Sequence, residues 1–130
     1  MKEELVKFVT AKLAKDKGFD MISRFGTEAS LYDKKGKHIY YSNYGFMYSG
    51  LSDGYISAPT QSLLQKWLRE KHNLHIEIYI GHDEDKIWWN AEIYKIELGY
   101  KFEPMNMEDI VGDSYEEVLE LALQKALKLI

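Results

Sequence analysis

A chain of 130 residues, with 45% hydrophobic and 29% charged side chains, has the size and composition of one globular domain able to bury its own core. The absence of cysteine removes disulfides, thiolate metal sites and cysteine nucleophiles, and suits a reducing compartment. A net charge of −4, with Lys and Arg scattered among acidic residues, argues against a surface built for nucleic acid or anionic membranes.

Met1-Lys2-Glu3-Glu4 is acidic and passes straight into an amphipathic pattern, so no secretory leader is expected. The longest stretch free of Lys, Arg, Asp and Glu, from His38 to Ser52, is interrupted by Ser, Asn and Gly and cannot span a membrane. Residues 3–16 predict a helix with Leu5, Phe8, Val9 and Leu13 on its apolar face, Val6 at the margin, and Gly18 as its stop. "SLYDKKGKHIYY" has the form of a hairpin turning on Asp33-Lys34-Lys35-Gly36, and a second turn is expected near Asp53-Gly54. Strands are placed near 29–33, 37–42, 45–49 and 54–57.

The stretch "SAPTQSLLQKWLREKHNLHIEIYIG" comes next. Ser57 or Thr60 caps a helix that buries Leu63, Leu64, Trp67 and Leu68 and ends at Asn73. Residues 74–80 alternate, with Ile76, Ile78 and Ile80 on one side and His75, Glu77 and Tyr79 on the other. After the polar turn "GHDEDK", a strand over 87–94 places Ile87, Trp89, Ala91 and Ile93 on one face. Pairing Ile80 with Ile87 brings both apolar sets to the same side and sets His75 opposite Glu92. The apolar phase flips near Lys95, which suggests a bulge or a strand switch. "SYEEVLELALQKALKLI" forms the last helix, opened by a capping box of Ser114 and Glu117. The expected fold is α+β in the order α-β-β-β-β-α-β-β-α, an antiparallel β-sheet with three helices mainly on one face, in a single domain over 1–130.

"APTQSLLQKWLREKHNLHIEIYI" and "SYEEVLELALQKALKLI", preceded by the aromatic run "YYSNYGFMYSG", resemble a group of small proteins of tailed phages and prophages of gut bacteria. The likeness covers residues 38–130. It implies an accessory role in the cytoplasm of the bacterial host, or with the virion. The group has no established activity, so the likeness supplies no catalytic residue.

Several local patterns invite a function. Gln61, Gln65, Lys66 and Arg69 on the helix over 60–72 have the chemistry of a DNA-reading face, but a helix-turn-helix needs a helix just upstream, and "SDGYISAP" reads as turn and strand. His75, Glu77 and Glu92 are acceptable metal ligands, yet alternate polar residues on a solvated sheet face group the same way, and no further strong ligand is specified. "HDED" lacks the glycine and the bidentate glutamate of a calcium loop. Gly45 and Gly50 have phosphate-loop spacing without the following lysine, and no nucleophile elbow is present.

The least generic feature is aromatic. Tyr40, Tyr41, Tyr44 and Tyr48 cluster among Ser, Asn and Gly, and Tyr79 with Trp88 would extend such a surface on the outer face of the second hairpin. Tyrosine suits recognition, because it offers a large ring with a polar tip and little entropy to lose. Half-buried rings are also ordinary strand composition. The last helix is apolar over more than one stripe, which marks Leu123, Leu127 and Ile130 as candidate contacts in a homodimer. The sequence therefore predicts a non-enzymatic binding or assembly protein that needs no cofactor and contacts a protein partner. A metal-dependent enzyme using His75, Glu77 and Glu92 is the alternative, and an inhibitor of a host protein is a third possibility.

Overall fold

The chain enters its first helix later than its apolar pattern suggests. Residues 4–6 are extended against 59–61: Leu5 bridges Thr60, the Val6 amide donates to the Pro59 carbonyl at 2.9 Å, and the Gln61 amide donates to the Glu4 carbonyl at 2.8 Å. This long-range pairing takes the Val6 amide and the Glu4 carbonyl, which a helix from residue 3 would have used, so α1 spans only Phe8–Asp16. The shift changes which side chains are buried. Val6 is buried, Ala11 and Ala14 carry the helix face inward, and Val9 is 61% exposed where the periodicity placed it inside. Gly18, at φ +95°, stops the helix, and the Phe19 amide reaches back to the Ala14 carbonyl at 3.0 Å to close a Schellman-type end.

The computed structural model describes residues 4–25, 28–41, 54–97, 101–104 and 108–130, with 101–104 given as backbone. The chain divides into two compact units, Met1–Leu63 and Leu64–Ile130. Its elements follow the expected α+β order, with two further short strands before the last helix. The strands form two antiparallel sheets rather than the single layer that alternation alone suggested. Alternation marks which side of a strand is apolar; it does not say which strands share hydrogen bonds.

In the first unit β1 (Arg24–Phe25), β2 (Glu28–Tyr32), β3 (His38–Tyr41) and β4 (Ile56–Ser57) form one sheet. β2 is central, with β3 along one edge and β1 and β4 sharing the other. Two-residue strands such as β1 leave no periodic signal, and this one was not expected. The β2–β3 hairpin turns where predicted: Asp33 Oδ1 accepts from the Lys35 and Lys37 amides at 2.8 and 2.9 Å, and Gly36 takes φ +86°. Hydrogen bonds from the Lys37 and Lys35 amides lower the pKa of the Asp33 carboxyl from its ordinary value. The expected strand at 45–49 lies outside the described residues. Ser30, fully buried, ties the split edge together: its amide donates to the Ser23 carbonyl at 2.9 Å, and its carbonyl accepts from the Ala58 amide at 3.0 Å. Its hydroxyl lies 2.8 Å from both the Ala58 carbonyl and His38 Nε2.

Helix α2 (Gln61–His72) is capped by Thr60, whose Oγ1 accepts from the Leu63 amide at 3.2 Å. Leu64, Trp67 and Leu68 are buried, and Asn73 ends the helix at φ +56°, a conformation asparagine tolerates better than most residues.

The second sheet contains β5 (Leu74–His82), β6 (Ile87–Glu97), β7 (Lys101–Pro104) and β8 (Ile110–Gly112). β6 is central; β5 lines one edge, while β7 and β8 divide the other. The register near Lys95 is continuous, with no bulge. What changes there is burial, from buried Ile93 to exposed Lys95 to half-buried Ile96. Helix α3 (Tyr115–Lys128) packs on β5, β6 and β8. Ser114 caps it by accepting from the Glu117 amide at 3.1 Å, and Glu117 Oε2 returns to the Asp113 amide at 3.4 Å, one residue before the cap. Val118, Ala122, Leu123, Ala126 and Leu127 are fully buried, and Ile76, Ala91, Ile93 and Ile110 form the buried side of the sheet. At roughly 1.5–3 kcal/mol for each large apolar side chain, this layer supplies much of the second unit's stability.

Candidate functional site

The hairpin β5–β6 sets the geometry of the most chemically distinctive face. Its turn is shorter than "GHDEDK" suggested. The Asp83 amide donates to the Lys86 carbonyl at 3.0 Å, and Asp83 Oδ1 accepts from the Asp85 and Lys86 amides at 2.8 and 2.9 Å. His82 therefore pairs with Ile87, and the whole register moves two residues from the expected one. A two-residue shift keeps every side chain on its predicted face but changes its neighbours. Ile80 faces Trp89, Ile78 faces Ala91, and Ile76 faces Ile93.

On the face away from α3, His75 lies opposite Tyr94 and not Glu92, while Glu77 lies directly opposite Glu92. The proposed trio of ligands is thus not brought together as expected, and among the described residues no group of three His, Asp or Glu side chains is placed to hold a metal ion. Glu92 instead accepts two phenol hydrogens: Tyr79 donates to Oε1 at 3.2 Å, and Tyr94 donates to Oε2. The bond to Glu92 is the main cause pushing the Tyr94 phenol up to about 12, with burial and the charges of Glu92 and Glu77 adding to it. Tyr79 is raised as well, first by burial and then by the charge of Glu92.

Tyr94 should accordingly ionise above the ordinary phenol range in an ultraviolet pH titration, and Glu92→Gln should lower both tyrosines. A phenol whose folded pKa exceeds its unfolded value contributes stability that is fully present below pH 10 and lost as the pH rises towards about 12. Superimposable titration curves for the two proteins would show that Glu92 does not hold these phenols.

Trp88, expected opposite Tyr79, faces Gly81. The glycine is a steric requirement, since a Cβ there would meet the indole Nε1, lie 2.5 Å from Cε2, and approach Asn90 Nδ2 to 2.8 Å. Tyr79 is 41% exposed and Val111, opposite Asn90 on the same face, is 46% exposed. Beside them a cleft of about 560 Å³ is lined by Lys86, Ile87, Trp88 and Val111 together with Asp83, Asp113 and Glu117. Tyr94 and Val111 were missed as members of this face. Alternation over 87–94 already puts Tyr94 beside Glu92 on this face; Asp83, whose side chain fixes the loop length and hence the register, sets it opposite His75.

In the first unit Tyr40 and Tyr41 are exposed, whereas Tyr44 and Tyr48 lie outside the described residues. Tyr40 belongs to a chain of edge-to-face rings, Phe25–Tyr40–His38–Tyr32–Phe8, with neighbouring centroids 4.6–5.8 Å apart. Tyr32, at the buried end, donates its hydroxyl to the Val6 carbonyl at 2.5 Å. Two members of the candidate oligomer contact, Leu123 and Leu127, are fully buried within the chain's own core, while Ile130 is half-buried. The surplus apolar character of α3 is thus largely accounted for by the sheet, with Leu121 exposed among its large aliphatic side chains and Leu129 exposed just past its end. Helix α2 follows strand β4, so a recognition helix across a short turn from another helix is not formed. Among the described residues no helix is long and apolar enough to cross a membrane. No protein-family model matches the chain, and neither a curated protein nor a solved structure matches it significantly.

Proposed function

We propose that this protein is a small non-enzymatic binding module, of phage or prophage origin, that acts through protein contacts in the host cell. The observation that carries this reading is the face of the second sheet away from α3. There Tyr79, Trp88 and Val111 present partly exposed apolar surface around Glu77 and the Glu92 carboxylate. Aromatic rings with polar tips beside fixed charges give a contact surface both area and orientation. The phage origin draws on the likeness of residues 38–130. A homodimer, on this reading, uses the exposed Leu121 and Leu129 with Ile130 in place of the buried Leu123 and Leu127.

Capture from prophage-bearing cells tests the reading when it is done in parallel with Tyr79→Ser and Trp88→Ala, with folding checked by circular dichroism. A partner retained by the parent chain and released by both folded variants supports it. Retention that neither substitution changes removes this face from consideration.

A further inference from the structure

The edge of β5 offers a second mode of recognition, which rests on the binding reading above. The direction of its backbone groups follows from the register. Asn73 pairs with Ile96 at one end, where the Ile96 amide donates to the Asn73 carbonyl at 2.8 Å, and Asp83 pairs with Lys86 at the other. Both are odd-numbered on the β5 side, so odd positions between them bond to β6 and even positions turn their N–H and C=O groups away. The Ile76 carbonyl confirms this, since it accepts from Gln65 Nε2 of α2 at 3.2 Å. Gln65 closes that part of the edge. Further along, Ile78, Ile80 and His82 direct their N–H and C=O groups outward, and among the described residues no strand pairs with them. Ile80 is 52% exposed.

The side chains beside this edge specify charge. Glu77 is exposed, has no ion-pair partner among the described residues, and directly opposes Glu92 on the next strand. Like charges in directly opposed positions repel, and a cation between them relieves the repulsion. Strands are spaced by about 4.8 Å, so a lysine or arginine on a strand added outside β5 neighbours Glu77 and extends towards Glu92. A second copy of this chain fits less well. Antiparallel self-pairing about Ile80 sets Glu77 against Asp83, acid on acid, and self-pairing about Ile78 collides with the Gln65 contact on Ile76.

We infer that the β5 edge from Ile78 to His82 accepts an extended, basic segment of a partner protein as an added strand, with its cationic side chains over Glu77 and Glu92. Main-chain bonds supply affinity in this mode, and alternate side chains supply selectivity.

The test uses the full chain and a short synthetic peptide alternating lysine with threonine, compared with a glutamate–threonine peptide and with a lysine peptide N-methylated at alternate amides. Binding is followed by amide chemical shifts. The lysine peptide should bind, shift the amides of Ile78, Ile80 and His82, and weaken as salt is raised. It should lose several-fold in affinity on Glu77→Gln and bind at least tenfold more weakly to Ile80→Pro, whose missing N–H faces away from β6. The N-methylated peptide should fail to bind the parent chain, which gives the same answer should the proline variant not fold. Equal binding of the lysine and glutamate peptides overturns the inference. So does binding indifferent to N-methylation, no binding of any peptide, or a dimer whose contact shifts map to the same edge. Any of these, with capture dependent on Tyr79 intact, removes the edge alone and leaves the binding face in place.

Discussion

Leu123→Ala should lower the free energy of unfolding by about 2–5 kcal/mol, as truncating a fully buried leucine leaves a cavity in addition to the lost transfer energy. Leu123 lies in the middle of α3, flanked by the equally buried Val118, Leu119, Ala122, Ala126 and Leu127, on a helix that contacts three strands. Such surroundings cannot collapse into the space without moving the helix off the sheet. The measurement is a urea titration of the parent and the variant, and the midpoint should fall with little change in slope. Leu123→Glu goes further, because an unpaired carboxylate is placed where no water reaches. Its expected outcome is loss of folded protein, not a folded monomer released from an assembly. A folded Leu123→Ala protein with a midpoint equal to that of the parent would contradict the placement of α3.

Gly36→Ala is expected to cost about 2–4 kcal/mol, from two independent terms. At φ +86° the alanine pays roughly 1–2 kcal/mol for the left-handed backbone. Its Cβ would also lie 2.9 Å from Phe8 Cδ2 and 3.1 Å from Phe8 Cγ, so the ring must move away from its edge contact with Tyr32. Gly18→Ala separates the terms. It has φ +95° but nothing within 4 Å of the added carbon, so it should carry the backbone cost alone. Thermal unfolding of the two variants should place Gly36→Ala clearly below Gly18→Ala. Equal melting temperatures would mean that the turn does not press on Phe8.

What could be read from the chain was what neighbouring residues decide among themselves. The turn at Asp33–Gly36, the stops at Gly18 and Asn73 and the cap at Ser114 depend on a few consecutive residues and appear where expected. The errors have the opposite character. Val6 and Val9 exchange roles because residues 4–6 bond to 59–61, a pairing that no local window contains. The faces of β5 and β6 were legible from alternation, whereas their register depended on one carboxylate oxygen of Asp83 closing the turn, and with it went the neighbours of His75 and Glu92. Alternation places Tyr79 and Trp88 on their observed face, while their cross-strand partners, Asn90 and Gly81, follow from the turn. Leu123 and Leu127 were correctly judged apolar beyond one stripe, but the surface that covers them is the chain's own sheet.

The Ser30 hydroxyl has a single hydrogen and two partners at 2.8 Å, and the Ala58 carbonyl can only accept. That hydrogen therefore belongs to Ala58, and the bond from His38 must be donated by its Nε2. The imidazole therefore carries a proton on Nε2, the nitrogen that faces the serine. One serine thus both joins the divided edge of the first sheet and fixes which nitrogen donates in the ring at the centre of its aromatic chain.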